Sequence, residues 1–249
     1  MSVQTFALET RYELLKTFRM PAFVLPTLAF PWMFYILFGL AFKAPGAALS
    51  MPTYLLATYG VFGVMGVALF GFGVTTATER GQGWLRLKRA SPMPPAASTF
   101  AKTVMATVFG TLVYLGLALL AAGGGDVSLG AGNWLLLGGV LIGAMLPFVA
   151  LGLTFGYLCG PHAAPAVINL IYLPMAFLSG LWMPIKILPG FIQKIATFLP
   201  SYYAAQLALG VVGMPMRETA VRSVLALAAF AAVFLTTAWL AQRRDRSRS

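Results

Sequence analysis

Residues 53–78 read TYLLATYGVFGVMGVALFGFGVTTAT, a run without one formal charge. Crossing the hydrocarbon of a bilayer as a helix takes about 20 apolar residues, and this run exceeds that length. Its apolar residues are continuous rather than alternating, so it reads as a helix and not as a strand of an outer-membrane barrel. With 59% hydrophobic residues, 9% charged and a mean hydropathy of +0.85, the chain has too little polar surface to coat a water-soluble globule of its size. Similar apolar runs on either side predict an all-α membrane protein with six transmembrane helices. They fall at roughly Pro21–Phe42, Thr53–Thr78, Thr103–Ala122, Trp134–Leu158, Ala164–Met183 and Val221–Ala241. The expectation is one membrane domain over residues 1–249, with no separate soluble domain.

An even number of spans places both termini on one side, and loops rich in Lys and Arg stay cytoplasmic. The N-terminal arm carries Arg11, Lys16 and Arg19, and segment 79–102 carries Arg80, Arg86, Lys88, Arg89 and Lys102. Arg243, Arg244, Arg246 and Arg248 fill the tail, leaving Lys43, Lys186, Lys194, Arg217 and Arg222 for the other side. Both ends are therefore expected in the cytoplasm. The formal charge of +11 then reads as a topology signal and an attraction to anionic lipid headgroups, and no nucleic-acid partner is expected. The first apolar stretch follows a charged arm and lacks a small-residue cleavage site, so it reads as an uncleaved span. A single cysteine, Cys159, excludes an intrachain disulfide and a thiolate metal cluster.

Residues 2–20 read as an amphipathic helix lying in the membrane interface. Val3, Ala7, Leu14 and Phe18 gather on one side with Leu8, Tyr12 and Leu15 beside them, and Glu9, Glu13 and Lys16 lie opposite. The alternative is a plain flank of the first span. Pro26 and Pro31 kink that span. Gly60, Gly63 and Gly66 recur every third residue, and Gly139/Gly143 and Gly152/Gly156 form small-xxx-small pairs, which reads as close helix packing at all three sets, with direct substrate contact as the alternative. Between spans five and six, residues 184–209 are apolar but broken by Pro184, Pro189 and Pro200. Pieces of about ten residues are too short to cross and too apolar for water, so they are expected as short re-entrant external helices. Tyr202 and Tyr203 suit interfacial depth there, and Lys186 and Lys194 can snorkel outward.

The motifs that are missing narrow the function. No G-x-x-x-x-G-K-[ST] loop is present to cradle nucleotide phosphates. Glu9, Glu13, Glu79, Asp126, Glu218 and Asp245 all fall in loops, ends or the arm, so no predicted span carries the carboxylate that ion-coupled transport ordinarily needs. His162 sits in the turn CGPHAAP and reads as a polar loop residue. An intramembrane serine protease pairs a serine with a later histidine deep in the membrane, whereas here His162 precedes Ser179 and lies in a loop.

Segment 79–102, ERGQGWLRLKRASPMPPAASTFAK, reads as a loop, one short helix from about Trp84 to Ala90 and a proline stop at Pro92, with Lys102 at the start of the third span. Glu79, Gly83, Leu87 and Pro92, spaced here E-x-x-x-G-x-x-x-L-x-x-x-x-P and followed by Lys102, resemble the E-x-x-x-G-x-x-x-x-L-x-x-x-P segment, then a lysine, after the second span of ATP-binding-cassette type 2 permeases, with the leucine one position earlier. Ser179-Gly180, Pro184, Leu188-Pro189 and Pro200 are similar to that family's signature leading into its two external helices. Trp84 departs from the pattern, because a small or polar residue commonly follows the glycine.

The resemblance implies an export permease of a bacterial inner membrane that has no ATPase site and binds no cofactor of its own. Two separate ATPase subunits would hold the ATP and magnesium, and a second permease copy, identical or related, would complete a dimer. Glu79, Gly83, Trp84, Leu85, Arg86, Leu87, Lys88, Arg89 and Pro92 would then form a coupling helix seated in a cleft of the ATPase. The same basic residues are also accounted for by the positive-inside rule and lipid contact. In the family the first and fifth spans line the passage, which nominates Phe30, Phe34, Tyr35, Phe38, Asn169, Tyr172 and Phe177. An aromatic, uncharged lining suits an amphipathic or lipid-like cargo such as a drug or glycolipid, and burial between helices explains the same aromatics. An ion-coupled or facilitative carrier and an intramembrane enzyme remain the competing classes.

Overall fold

The computed structural model describes residues 3–41, 50–84, 87, 90 and 94–247, all of them helix or connection with no strand among the described residues. Helix α1 (Val3–Phe18) leads into α2 (Pro21–Phe34), which widens into π-helical turns over Tyr35–Ala41. Then come α3 (Met51–Gly81), α4 (Pro95–Gly123), α5 (Ala131–Leu158) and α6 (Ala164–Leu178). After a 3₁₀ turn at Ile185–Ile187 follow α7 (Gly190–Ala196), α8 (Pro200–Val211) and α9 (Ala220–Ser247).

Helices α2, α3, α4, α5 and α9 are long and apolar enough to cross a membrane. Helix α6 is shorter than its predicted span because a glycine ends it. Gly180 adopts φ +75°, its N–H donates to Phe177 O at 3.1 Å, and the Leu181 N–H reaches back to Ala176 O at 3.1 Å. That double return closes the helix at Leu178, some five residues before the predicted Met183 boundary. A Cβ on Gly180 would also stand 2.9 Å from Ile185 Cβ, so the Ser179-Gly180 pair marks a turn that admits no side chain.

Helix α3 is the axis of the bundle: 94% of its membrane-length window is buried, against 17% for α2 and 22% for α9. Its glycines let four neighbours close on it. A Cβ at Gly60 would lie 2.8 Å from Leu141 Cδ1 of α5, at Gly63 2.3 Å from Val113 Cγ1 of α4, and at Gly66 3.0 Å from the Tyr172 hydroxyl of α6. The same added Cβ at Gly63 would also lie 3.1 Å from Pro31 Cγ of α2. Lower down, a Cβ added to Gly152 or Gly156 of α5 would stand 3.1 Å from Ala68 O or 2.9 Å from Gly73 O, so both glycines let α5 close on α3. Gly139 and Gly143 differ from expectation. A Cβ added to either would meet nothing within 4 Å, and both are exposed.

Polar anchors fix the outer helices. Trp32 donates to Val113 O at 3.0 Å with its ring across Gly116, Tyr114 donates to Trp134 O at 2.6 Å, and Thr154 reaches Phe234 O of α9 at 3.2 Å. Helix α8 is almost wholly buried, whereas α7 leaves Phe191, Ile195 and the following Phe198 exposed.

Candidate functional site

Helix α3 is longer than a bilayer requires, and its last turn carries Glu79 and Arg80 beyond the apolar core. Glu79 thus belongs to a helix rather than to the predicted loop, and it is buried at 7% exposure. Lys102 of α4, 6% exposed, donates to Glu79 Oε1 and to Glu13 Oε1 of α1 at 3.0 Å each, and to Thr75 Oγ1 at 3.2 Å. Lys16 closes the ring, at 2.7 Å from both Glu13 Oε2 and Glu79 Oε1. Two carboxylates and two ammoniums therefore bind α1, α3 and α4 at one point, with formal charges that cancel. Burial works against the Glu13 carboxylate, but Lys102 and Lys16 outweigh it and hold its pKa below the ordinary value. Burial likewise opposes the Lys16 ammonium, and Glu79 and Glu13 raise its pKa nonetheless.

This arrangement turns α1 over relative to its sequence pattern. A free interfacial helix would show its polar side to water, yet Glu13 and Thr17 face inward while Leu8, Tyr12 and Leu15 are exposed. The charged partners waiting at the ends of α3 and α4 make the polar face the one that packs.

Arg80 ties the same turn to the other side of the bundle. Its guanidinium donates to Tyr157 O and, at 2.6 Å, to Cys159 O at the end of α5, and lies 3.6 Å from Asp245 of α9. Gly81 packs on the following turn so closely that a Cβ would meet Pro161 Cγ at 2.6 Å. Beyond Gly81 the chain leaves the bundle at Gly83, where φ is +77° and a methyl placed on the Cα would meet nothing within 4 Å. The Leu87 N–H then returns to Gly83 O at 3.3 Å in a helical turn that includes Trp84 and Ala90. Trp84 and Leu87 are 54% and 68% exposed. Leu85, Arg86, Lys88, Arg89 and Pro92 lie outside the described residues.

The aromatic residues nominated for a passage divide. Phe30, Phe34 and Phe38 form a ladder along α2, with ring centroids 6.0 and 6.2 Å apart, and Phe30 and Phe38 are exposed. Trp182 joins the ladder at Phe34 (6.4 Å), and Phe177 meets Trp182 at 6.2 Å. Asn169 is exposed on α6. Tyr35 and Tyr172 are sealed inside instead: Tyr35 donates to Pro52 O at 3.1 Å, and Tyr172 stacks on Phe62 at 4.7 Å and donates to Phe62 O at 3.2 Å. These two hold α2 and α6 to α3. The sequence reading missed Glu13 and Lys16 as partners of Glu79; the signal available was their i, i+3 spacing beside Thr17. Among the described residues, no three of His, Cys, Asp and Glu come together as metal ligands.

Comparison with known proteins agrees with the motif pattern. Residues 43–240 match the family described as ABC-2 family transporter protein. The chain is also 30% identical over 193 residues to "Putative transport permease YvfS" of Bacillus subtilis (strain 168), covering 77% of this chain and 78% of the relative. The chain belongs to the ABC-2 transporter family, as a multi-pass membrane permease subunit of the kind that works with ABC ATPase partners.

Proposed function

We propose that this subunit forms the pathway of an ATP-driven exporter and is worked through segment 84–90 by two ATPase subunits, which hold the ATP and magnesium. Six crossings, with α6 and the turn after it as the fifth, would put both termini in the cytoplasm of a bacterial inner membrane. The amphipathic α1 would lie in the inner interface, and α7, with its exposed Phe191 and Ile195 beside Lys194, would dip into the outer leaflet. The observation that carries this reading is the way the base of segment 84–90 is built. Trp84 and Leu87 project as exposed apolar groups, while the turn behind them is clamped to α1 and α4 through Glu79 and to α5 and α9 through Arg80. A partner seated on Leu87 thus moves a rigid base shared by those helices, and ATP shifts the balance through contacts that differ between the two states.

The aromatic ladder of α2, uncharged and half exposed, supports a second permease copy, identical or related, facing it across a pathway for amphipathic or lipid-like cargo. The test is Leu87→Asp. Because Leu87 is exposed, stability stays within about 0.5 kcal/mol of wild type while ATPase copurification and export are lost. Unchanged ATPase binding and export in that variant would overturn the proposal. Uphill transport by the permease alone, driven by an ion gradient, would establish the carrier class instead.

A further inference from the structure

We infer that the end of the bundle opposite segment 79–102 carries a binding site for a small oxyanion, the phosphate of a lipid headgroup or phosphate itself. A cavity of about 70 Å³ opens there between the start of α3, the turn after α6 and the buried face of α8. That is room for a group of a few heavy atoms. Its walls include Tyr54, Ser179 and Gln206, and Lys186 and Arg217 stand exposed at its rim.

The donors settle the sign of the guest. Gln206 is 3% exposed, and its Oε1 accepts the Arg217 backbone N–H at 2.7 Å. That bond fixes the carboxamide, leaving Nε2 as a donor with no acceptor among the described residues. Tyr54 already donates its proton to Gly180 O at 2.5 Å, and Ser179 is held by Ser201 at 2.5 Å. The Arg217 guanidinium rests on the neutral Gln193 Oε1 at 2.7 Å, so its charge is not cancelled. The neighbouring carboxylate, Glu218, is taken by Arg222 at 2.8 Å. Lys186 has no carboxylate in ion-pair range among the described residues. A buried amide donor under two uncancelled cations repels a metal ion and matches the three acceptor oxygens of a phosphate. The apolar remainder of the wall, which includes Ile185, Leu209 and Met214, favours a lipid as the carrier of that phosphate. This chemistry is independent of ATPase coupling; placing the site on the outer face rests on the topology proposed above.

The experiment is lipid retention by the full-length protein, read by native mass spectrometry and by thermal shift, with phosphatidylglycerol, phosphatidylcholine or inorganic phosphate added. Wild type retains phosphatidylglycerol over phosphatidylcholine, and Lys186→Ala combined with Arg217→Ala weakens retention roughly tenfold. Lys194→Ala, an equally basic surface position outside the cavity, leaves retention unchanged. Gln206→Leu gives the same loss if it folds, and the two rim variants decide the matter if it does not. Stabilisation by phosphatidylglycerol alone identifies a headgroup site; equal stabilisation by inorganic phosphate identifies a free-anion site. Retention that survives the rim variants, or that falls equally with Lys194→Ala, overturns the proposal. Neither result bears on segment 84–90, since no ATPase is present.

Discussion

Lys102→Met removes the ammonium that Glu13 and Glu79 share at 3.0 Å each, while keeping a side chain of similar length. Glu13 and Glu79 are both buried, and stripping one partner from a buried ion pair costs about 3–5 kcal/mol. Lys16 stays 2.7 Å from each carboxylate and its own side chain is 39% exposed, so the remaining charge is partly compensated. The expected loss is therefore near the lower end, about 3 kcal/mol. For a chain of this size each kcal/mol moves Tm by about 2–4 °C, which makes the drop about 6–12 °C. Thermal unfolding of the purified protein in one detergent at neutral pH measures it. Adding Glu13→Gln neutralises one of the stranded carboxylates, so the double variant recovers part of the loss, and the cycle gives a coupling of about 1–3 kcal/mol. A Lys102→Met protein melting within about 1 °C of wild type would refute the reasoning, since the four groups would then be solvated rather than locked. Strictly additive losses would refute the pairing even if the single variant were unstable.

The same cluster sets a pH window. Glu13 is held below its ordinary pKa of 4.5 in spite of burial, so its contribution is complete above that pH and is lost as pH falls through the lowered folded value. Lys16 is held above its ordinary 10.5, so its contribution is complete below that pH and is lost as pH rises through the raised value. A Tm plateau between these limits is expected, with its acid shoulder reduced in Glu13→Gln. Gly63→Ala meets Val113 Cγ1 at 2.3 Å and should cost about 1–3 kcal/mol, whereas Gly139→Ala meets nothing within 4 Å and should stabilise α5 by up to about 1 kcal/mol; paired melting curves separate the two. Gly180→Ala forces φ +75° on a residue with a Cβ and crowds Ile185, for a loss of about 1–3 kcal/mol by the same assay.

What the sequence made legible was what depends on local composition. A charge-free run such as residues 53–78 has one low-energy form in hydrocarbon, and α3 extends only a few residues past the predicted boundaries. Pro200 was legible as a breaker and opens α8, where a missing N–H has no cost, whereas α4 begins at Pro95, well before the Thr103 boundary that hydropathy alone predicted. Gly180 was visible as part of a signature but not as a stop, because a glycine inside an apolar run reads equally as packing or as a cap. Gly139 and Gly143 show the reverse error. Their spacing is that of Gly152 and Gly156, and only the partner helix distinguishes a packed pair from an open one.

The ion cluster was the least legible feature, and the reason lies in what a helical wheel measures. A wheel ranks faces by affinity for water and so assigns Glu13 and Lys16 to solvent. It cannot register that Glu79 and Lys102, far along the chain, present a matching pair of charges. Once those partners exist, desolvating the four groups together costs far less than desolvating any one, and the apolar side of α1 is left free to meet lipid. The inversion also gives α1 a definite mechanical relation to segment 84–90. A helix held only by its apolar stripe could slide along the bundle surface, whereas one held by charge-assisted bonds to the last turn of α3 and the first turns of α4 keeps its register when that turn moves. Any displacement of Glu79 is therefore shared by α1 or breaks the cluster, and breaking it strands buried charge. That penalty makes the end of the bundle favour discrete arrangements over continuous ones, which is the property that the coupling proposed for segment 84–90 requires.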